Sequence, residues 1–181
     1  DWDCHRLLCA VSTHFENYES ALRHGQAAYN LNPNNPLVLA HYGESLIFNG
    51  EYDTGIELLR KAQKLDPTDP EITESIVWGL YACGDYTACI EHTEMTGKLD
   101  AQSWLLRIAS LGALMMNEQR DRELEAFAKA HPDAGVESQW EALEFNNSAI
   151  KQATNHYLFD SRQSIGELIN ETKTEAFAHS N

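Results

Sequence analysis

Four cysteines are the first residues of this sequence that could support chemistry, as metal ligands, disulfides or nucleophiles. They stand at Cys4, Cys9, Cys83 and Cys89. Their spacing is not the Cys-x2–4-Cys spacing of a zinc site, and they lack the accompanying histidines of such a site. We therefore expect reduced, structural cysteines. Four thiols without a disulfide framework indicate a reducing compartment and hence a cytoplasmic location.

Polar clusters give no stronger indication of catalysis. The tightest of them, Glu91, His92 and Glu94 on one short predicted helix, could bind a metal only if another element contributed a ligand. The sequence has no glycine-rich phosphate loop, no nucleophile elbow and no paired acid and base on rigid neighbours. We predict no metal, no cofactor and no enzymatic activity.

The charge of the chain restricts its partners. It has 13 basic and 28 acidic residues among 181. Nucleic acids and anionic membranes both require a positive footprint, so we expect neither as a partner. A preference for cationic partners is one interpretation, and solubility alone is the other. No apolar run approaches the roughly 20 residues of a membrane-spanning helix. The chain begins at Asp1 rather than Met, so we expect a piece of a longer protein.

Two short amphipathic helices are predicted in the stretch 36–69. Residues on one face of the first recur at helical spacing, at Leu39, Tyr42, Gly43 and Leu46. The second begins near Tyr52 and ends before Pro67, with its own stripe at Gly55, Ile56, Leu59 and Ala62. The turn at Gly50 lets the two helices fold back on each other, which predicts a helical hairpin.

The hairpin recurs along the chain. Gly55, Ala62 and Pro67 match Ala21, Ala28 and Pro33, each 34 residues earlier. Asn35 before Pro36 and Asp69 before Pro70 share one arrangement, in which a side-chain oxygen accepts first-turn N–H groups and proline takes the first helical position. Both pairs predict the start of a repeat.

This pattern resembles the tetratricopeptide repeat family, whose unit is a helix-turn-helix of 34 residues. The resemblance implies an all-α fold, a right-handed α-solenoid of helical hairpins with additional C-terminal capping helices. One departure is Gly55, where the family usually has Ala. Because Gly costs about 1 kcal/mol of helix propensity, we expect Gly55→Ala to be neutral or stabilising, whereas a large residue at Gly43 should force the helices apart.

The domain organisation follows from these repeats. We predict about four repeats in residues 1–134, at 2–35, 36–69, 70–104 and 105–134, then capping helices in 135–174 and a flexible tail in 175–181. The capping segment shows three helical patterns, at 136–145, 148–158 and 161–172. In the fourth repeat, alignment on Pro132 would put Arg107 in the core. We prefer a register that starts four residues later, which also predicts a short second helix beginning near Arg122.

The resemblance also implies a binding surface. In the family, the first helix of each hairpin lines a concave groove. Carried over to this sequence, the predicted groove residues are Leu37, His41, Glu44, Phe48, Glu71, Glu74, Trp78, Tyr81 and Met116. Aromatic anchors interleaved with carboxylates favour a peptide or helix as ligand, basic and with an apolar anchor. The alternative interface is the convex side or the C-terminal helices around Trp140.

Two classes of function remain open at this level. In the first, the chain is a non-catalytic interaction module, scaffold or regulatory, within a larger bacterial signalling or transcription-regulatory protein. The run from Ala27 to Pro36 is similar to repeat regions appended to bacterial nucleotide cyclases and winged-helix transcriptional regulators. In the second, the groove binds a small cationic or apolar ligand, and the chain is a sensor domain.

Overall fold

The computed structural model of the protein describes residues 1–132, 136 and 154–158. The prediction of an all-α fold is confirmed, since every regular element over these residues is helical. None of these helices has the length and apolarity that crossing a bilayer requires. Most of the expected C-terminal capping helices, and the tail, fall outside the described residues. The described helices are α1 Trp2–His14, α2 Tyr18–Leu31, α3 Pro36–Phe48, α4 Tyr52–Leu65, α5 Pro70–Ala82, α6 Tyr86–Thr96, α7 Ala101–Ala113 and α8 Asn117–Ala130.

The chain divides into two compact units, Asp1–Asp85 and Tyr86–Asn181. Unit 1 holds α1 to α5. Here α1 packs against α2 and α3 against α4, so each pair is an antiparallel hairpin. The second hairpin stacks on the first, because α3 contacts both α1 and α2, and α5 in turn packs on α3 and α4. Each hairpin exposes an apolar face that its neighbour covers, which is the stacking logic of a helical solenoid.

The starts of α3 and α5 confirm the predicted caps. The Asn35 side chain accepts hydrogen bonds from the backbone N–H groups of Leu37 and Val38, at 3.0 and 3.1 Å. The Asp69 side chain accepts from the N–H of Glu71 at 3.0 Å. Proline follows each cap at the first helical position, where no N–H is needed. Local sequence therefore fixes where both helices begin.

α3 and α4 approach each other closely at two glycines. A Cβ atom at Gly43 would lie 2.9 Å from the carbonyl oxygen of Gly55, and one at Gly55 would lie 2.7 Å from that of Gly43. The Gly55 Cβ would also meet Cγ1 of Ile47 at 2.8 Å. A backbone oxygen cannot move aside as a side-chain tip can. The structure therefore reverses the expectation for Gly55, because the steric cost of an alanine outweighs its helix propensity.

Unit 2 contains α6, α7 and α8, with α7 packed against the other two. The structure places α7 at Ala101–Ala113, four residues before the preferred start of the fourth repeat at residue 105. The alignment on Pro132 is the one the structure adopts. The third repeat is shorter than the first two because its second helix, α6, has 11 residues, whereas α2 and α4 have 14. α8 accordingly begins at Asn117 and has the full 14 residues, so it is not the short helix that we expected.

Arg107 occupies a core position in this register, the seventh residue of α7, as Tyr42 is the seventh of α3. Its side chain is only 12% exposed. The guanidinium donates from Nε to Glu123 Oε1 at 2.9 Å and from Nη1 to Thr93 Oγ1 at 3.2 Å. Trp104 donates to the same Glu123 carboxylate at 3.1 Å. A charge is tolerated here because it is paired and hydrogen-bonded, which the choice of register from the sequence did not anticipate.

Candidate functional site

The candidate site lies on the first helices of the hairpins of unit 1. α1, α3 and α5 form one layer, since α3 contacts both of the others. The predicted groove residues on α3 and α5 belong to this layer. We use the name inner face for seven residues of this layer, all of them exposed or half-exposed: Arg6, Leu37, His41, Glu44, Glu71, Glu74 and Trp78.

Three glutamates give the inner face its electrostatic character. The pKa of Glu44 is raised from 4.5 to about 7, mainly by burial and then by the negative charges of Glu71 and Glu74 on the next hairpin. Like charges are therefore held close together across two helices. A cation placed among them would relieve both the burial cost and the repulsion.

The raised pKa also affects stability. Between pH 4.5 and about 7, the folded protein keeps a proton on Glu44 that the unfolded chain releases. The free energy of unfolding therefore falls as the pH rises through this window. At about 1.4 kcal/mol per pH unit, the loss amounts to at most roughly 3 kcal/mol once the folded protein is also ionised.

His41 lies one helical turn before Glu44 on α3. Burial lowers its pKa, and the positive charge of Arg6 lowers it further against a weaker opposing effect of Asp69. His41 is therefore neutral at pH 7 and does not offset the glutamates. Its Nδ1 atom is buried and has no hydrogen-bond partner within the described part of the chain. A ligand that offers a donor or acceptor here would satisfy a group that folding leaves unpaired.

Arg6 is an inner-face residue that the sequence analysis missed. It lies on α1 and pairs with Asp3, with Nε 2.8 Å from Oδ1. The 34-residue offset that relates the first two repeats takes Arg6 to Ala40, a groove position on α3. The offset could therefore have identified Arg6 from the sequence, but the family's groove positions were assigned only in the second and later repeats.

The predicted aromatic anchors differ in how accessible they are. Phe48 stacks on Tyr18 of α2, with ring centroids 5.2 Å apart, so one of its faces is already covered. Tyr81 is 2% exposed and cannot reach a ligand without rearrangement. Trp78 on α5 is half-buried, and Leu37 at the start of α3 is 39% exposed. Trp78 and Leu37 are therefore the apolar groups that this face offers.

Met116 does not take its predicted place on the first helix of the fourth repeat. α7 ends at Ala113, and Met116 is the residue that precedes α8. The four-residue difference in register accounts for this. Met116 belongs to unit 2, and we leave it out of the inner face. Trp140, named in the alternative interface, lies outside the described residues.

Cysteines and metal ligands contribute no chemistry to this face. All four cysteines are free thiols, and Cys9 and Cys89 are buried. Burial raises the pKa of Cys9 to about 11, and its Sγ donates to the carbonyl oxygen of His41 at 3.3 Å. Such a thiol is a packed structural group rather than a nucleophile. No group of three or more His, Cys, Asp or Glu side chains in the described part of the chain could hold a metal ion.

Comparison with protein families agrees with this architecture. Residues 14–75, which run from the end of α1 into α5, match the tetratricopeptide repeat family. This part of the chain consists of tetratricopeptide repeats. No curated protein shows significant sequence similarity to the chain.

The match covers α2, α3, α4 and the first part of α5, and so includes Leu37, His41, Glu44, Glu71 and Glu74 of the inner face. Tetratricopeptide repeats generally mediate protein–protein interaction, they bind proteins or peptides, and they are typically non-catalytic. A general role in protein binding is what the family match supports for this part of the chain.

Proposed function

We propose that this chain is a non-catalytic protein–protein interaction module, scaffold or regulatory, whose inner face binds a basic peptide or helix that carries an apolar anchor. The observation that carries the proposal is the trio Glu44, Glu71 and Glu74. Burial of Glu44, followed by the charges of Glu71 and Glu74, raises the pKa of Glu44 to about 7. A lysine or arginine of the partner would lie among these carboxylates, and its apolar neighbour would contact Trp78.

The two parts of this ligand do different work. The carboxylates attract a cation over a distance set by the salt concentration, so they act mainly on the association rate and on specificity. The half-buried indole of Trp78 offers apolar area to the anchor, and such aromatic groups usually supply most of the affinity. The same charges disfavour nucleic acid, whose phosphates would face three carboxylates.

The setting of the module is part of the proposal. The similarity of its repeats to those appended to bacterial nucleotide cyclases and winged-helix regulators favours a place in a larger bacterial signalling or transcription-regulatory protein. A cytoplasmic location is consistent with four free thiols, which a reducing compartment preserves.

The test uses fluorescently labelled peptides of equal length in which lysine and leucine, lysine and serine, or glutamate and leucine alternate. We expect the lysine–leucine peptide to bind best. Glu74→Lys should weaken its binding about tenfold at low salt and much less at high salt, whereas Trp78→Ala should cost about 2 kcal/mol at either salt. Glu19→Lys makes the same charge change at an exposed position on α2 and serves as the matched control.

Two results would refute the proposal. One is equal binding of the lysine–leucine and glutamate–leucine peptides by the wild type. The other is binding that both inner-face variants leave unchanged, which would move the interface to another surface. Thermal melts of each variant establish that a lost signal is not lost folding.

A further inference from the structure

One concave feature of unit 1 lies apart from the inner face. It is a pocket of about 490 Å³ along α4 and the C-terminal end of α5, and it shares no residue with the inner face. Two apolar side chains line it, Ile56 at 7% exposure and Leu80 at 2%. Pockets that hold small ligands or short segments fall in this range of volumes, about 300–1,000 Å³.

The charged residues that line the pocket on α4 are separated by sign. Asp53 and Glu57 lie in its first half, and the cations in its second half are Arg60, Lys61 and Lys64. Together with Ile56 they are spaced three, four, seven, eight and eleven residues from Asp53, which is one face of an α-helix. One end of the pocket is therefore acidic and the other basic.

The direction of α5 adds to the acidic end. Gln63 donates to Thr73 at 3.4 Å, and a Cβ at Gly79 would lie 2.9 Å from Cγ1 of Ile56. The two helices therefore run antiparallel, and the chain after Gly79 leads toward the start of α4. Asp85, which also lines the pocket, thus lies at the end that holds Asp53.

The charged residues of α4 that line the pocket form no ion pair within the described part of the chain. Asp53, Glu57, Arg60, Lys61 and Lys64 are all exposed, and none of them forms an ion pair with another described residue. The ion pairs that the described part of the chain does contain all involve other arginines. Glu57 and Lys61 have the spacing that favours a pair on a helix, yet they too remain apart. Lys61 does hold a hydrogen bond, since its Nζ donates to the carbonyl oxygen of Pro33 at 3.1 Å. The acidic side chains of Asp53 and Glu57 and the basic side chains of Arg60 and Lys64 are available to a ligand.

We propose that this pocket binds a dipolar peptide segment of a partner, with a cationic side chain at the acidic end and an anionic side chain at the basic end. From Glu57 to Lys64 the helix rises about 10 Å, and from Asp53 to Lys61 about 12 Å. An extended peptide spans that distance with three or four residues. A ligand of uniform charge is disfavoured because one half of the pocket repels it. This site is independent of the inner face and of the function proposed for it.

Cys83 provides the readout, because it is an exposed residue that lines the pocket. Its Sγ donates a hydrogen bond to the carbonyl oxygen of Leu80 at 3.3 Å. Cys4 is the other exposed cysteine, so the assay uses the Cys4→Ser protein. The Cys83 thiolate attacks one sulfur of the neutral reagent 4,4′-dithiodipyridine, the mixed disulfide forms, and one thiopyridone is released and measured by absorbance. A peptide bound in the pocket slows this reaction in a saturable way.

Three acetylated and amidated peptides distinguish the charge patterns: Lys-Ala-Leu-Ala-Glu, Lys-Ala-Leu-Ala-Lys and Glu-Ala-Leu-Ala-Glu. We expect the dipolar peptide to protect Cys83 at an about fivefold lower concentration than either of the others, the effect of one favourable exposed charge pair. Equal protection by all three, or protection by none at millimolar concentration, would overturn the proposal. Equal protection by free 6-aminohexanoate would overturn the assignment to a peptide.

The cations are tested by the double variant Arg60→Gln with Lys64→Gln. We expect it to abolish the advantage of the dipolar peptide over the all-lysine peptide while the thermal melt stays unchanged, because both side chains are exposed. Arg23→Gln removes an exposed cation from α2, outside the pocket, and should preserve the advantage. An advantage that survives the double variant would show that the basic end does not contact the ligand.

Discussion

The Gly55→Ala variant tests how closely α3 and α4 approach each other. The added Cβ would lie 2.7 Å from the Gly43 carbonyl oxygen and 2.8 Å from Cγ1 of Ile47. Carbon atoms in favourable contact are about 3.5–4.0 Å apart, so the helices must separate or shift. Overpacking of this kind costs about 1–3 kcal/mol, and the gain in helix propensity returns about 1 kcal/mol. We expect a net loss of about 1 kcal/mol in the free energy of unfolding.

Urea unfolding followed by circular dichroism measures this difference. The matched control is Thr54→Ala, the exposed neighbour on α4, which gains helix propensity of about 0.5 kcal/mol and adds no contact. The two alanine variants should therefore differ by about 1.5 kcal/mol, with Gly55→Ala the less stable. If Gly55→Ala proves as stable as Thr54→Ala, the two helices are further apart than the structure places them, and the propensity argument from the sequence was right.

Three further predictions concern the inner face, the fourth repeat and the caps. Glu44→Gln should raise the free energy of unfolding by up to about 3 kcal/mol at pH 8 and hardly at all near pH 4.5, because it removes the buried charge. Melts at both pH values decide this, and an equal effect at the two would contradict it. Glu123→Gln should destabilise the protein by about 1–3 kcal/mol in urea unfolding, since Arg107 loses the nearer of its two charged partners and keeps only Glu94, at 3.4 Å. A neutral result would favour the register that keeps Arg107 out of the core. Asn35→Ala should cost about 1 kcal/mol in the same assay and the exposed Asn34→Ala almost nothing, and equal effects would contradict the cap assignment.

Much of the helical architecture could be predicted because its signals are local. The caps at Asn35 and Asp69 and the apolar stripes at helical spacing depend on residues within one or two turns of each other. The start of α3 at Pro36 and that of α4 at Tyr52 were predicted on these grounds, and the structure has both. The 34-residue offset then extended the same interpretation to the first hairpin.

The register of the fourth repeat shows where this reasoning stops. Charged residues are usually excluded from cores, and on that ground the sequence disfavoured the alignment on Pro132, which the structure adopts. Arg107 is acceptable there because Glu123, on the next helix, and Thr93, on the preceding one, come within hydrogen-bond distance. Those partners are 16 and 14 residues away, beyond the reach of any local pattern.

The candidate site, too, was predictable from the sequence only in part. The repeat positions predicted that Glu44, Glu71 and Glu74 share one surface. In the folded protein, the charges of Glu71 and Glu74 raise the pKa of Glu44. Accessibility was a different matter. Phe48 is partly covered by Tyr18 of α2, a helix distant in sequence, and Tyr81 is buried. Repeat position says which way a residue faces, but it does not say what else reaches the same place.

By itself, the sequence determined the helical class, the caps of α3 and α5, the 34-residue spacing of the first two hairpins and the acidic character of the chain. Only the tertiary structure decided the steric role of Gly55, the place of Arg107 and the dipolar pocket along α4. Helix formation and capping are settled by hydrogen bonds within a few residues. Close approach, burial and pairing of charges depend on where separate helices meet, which only packing determines.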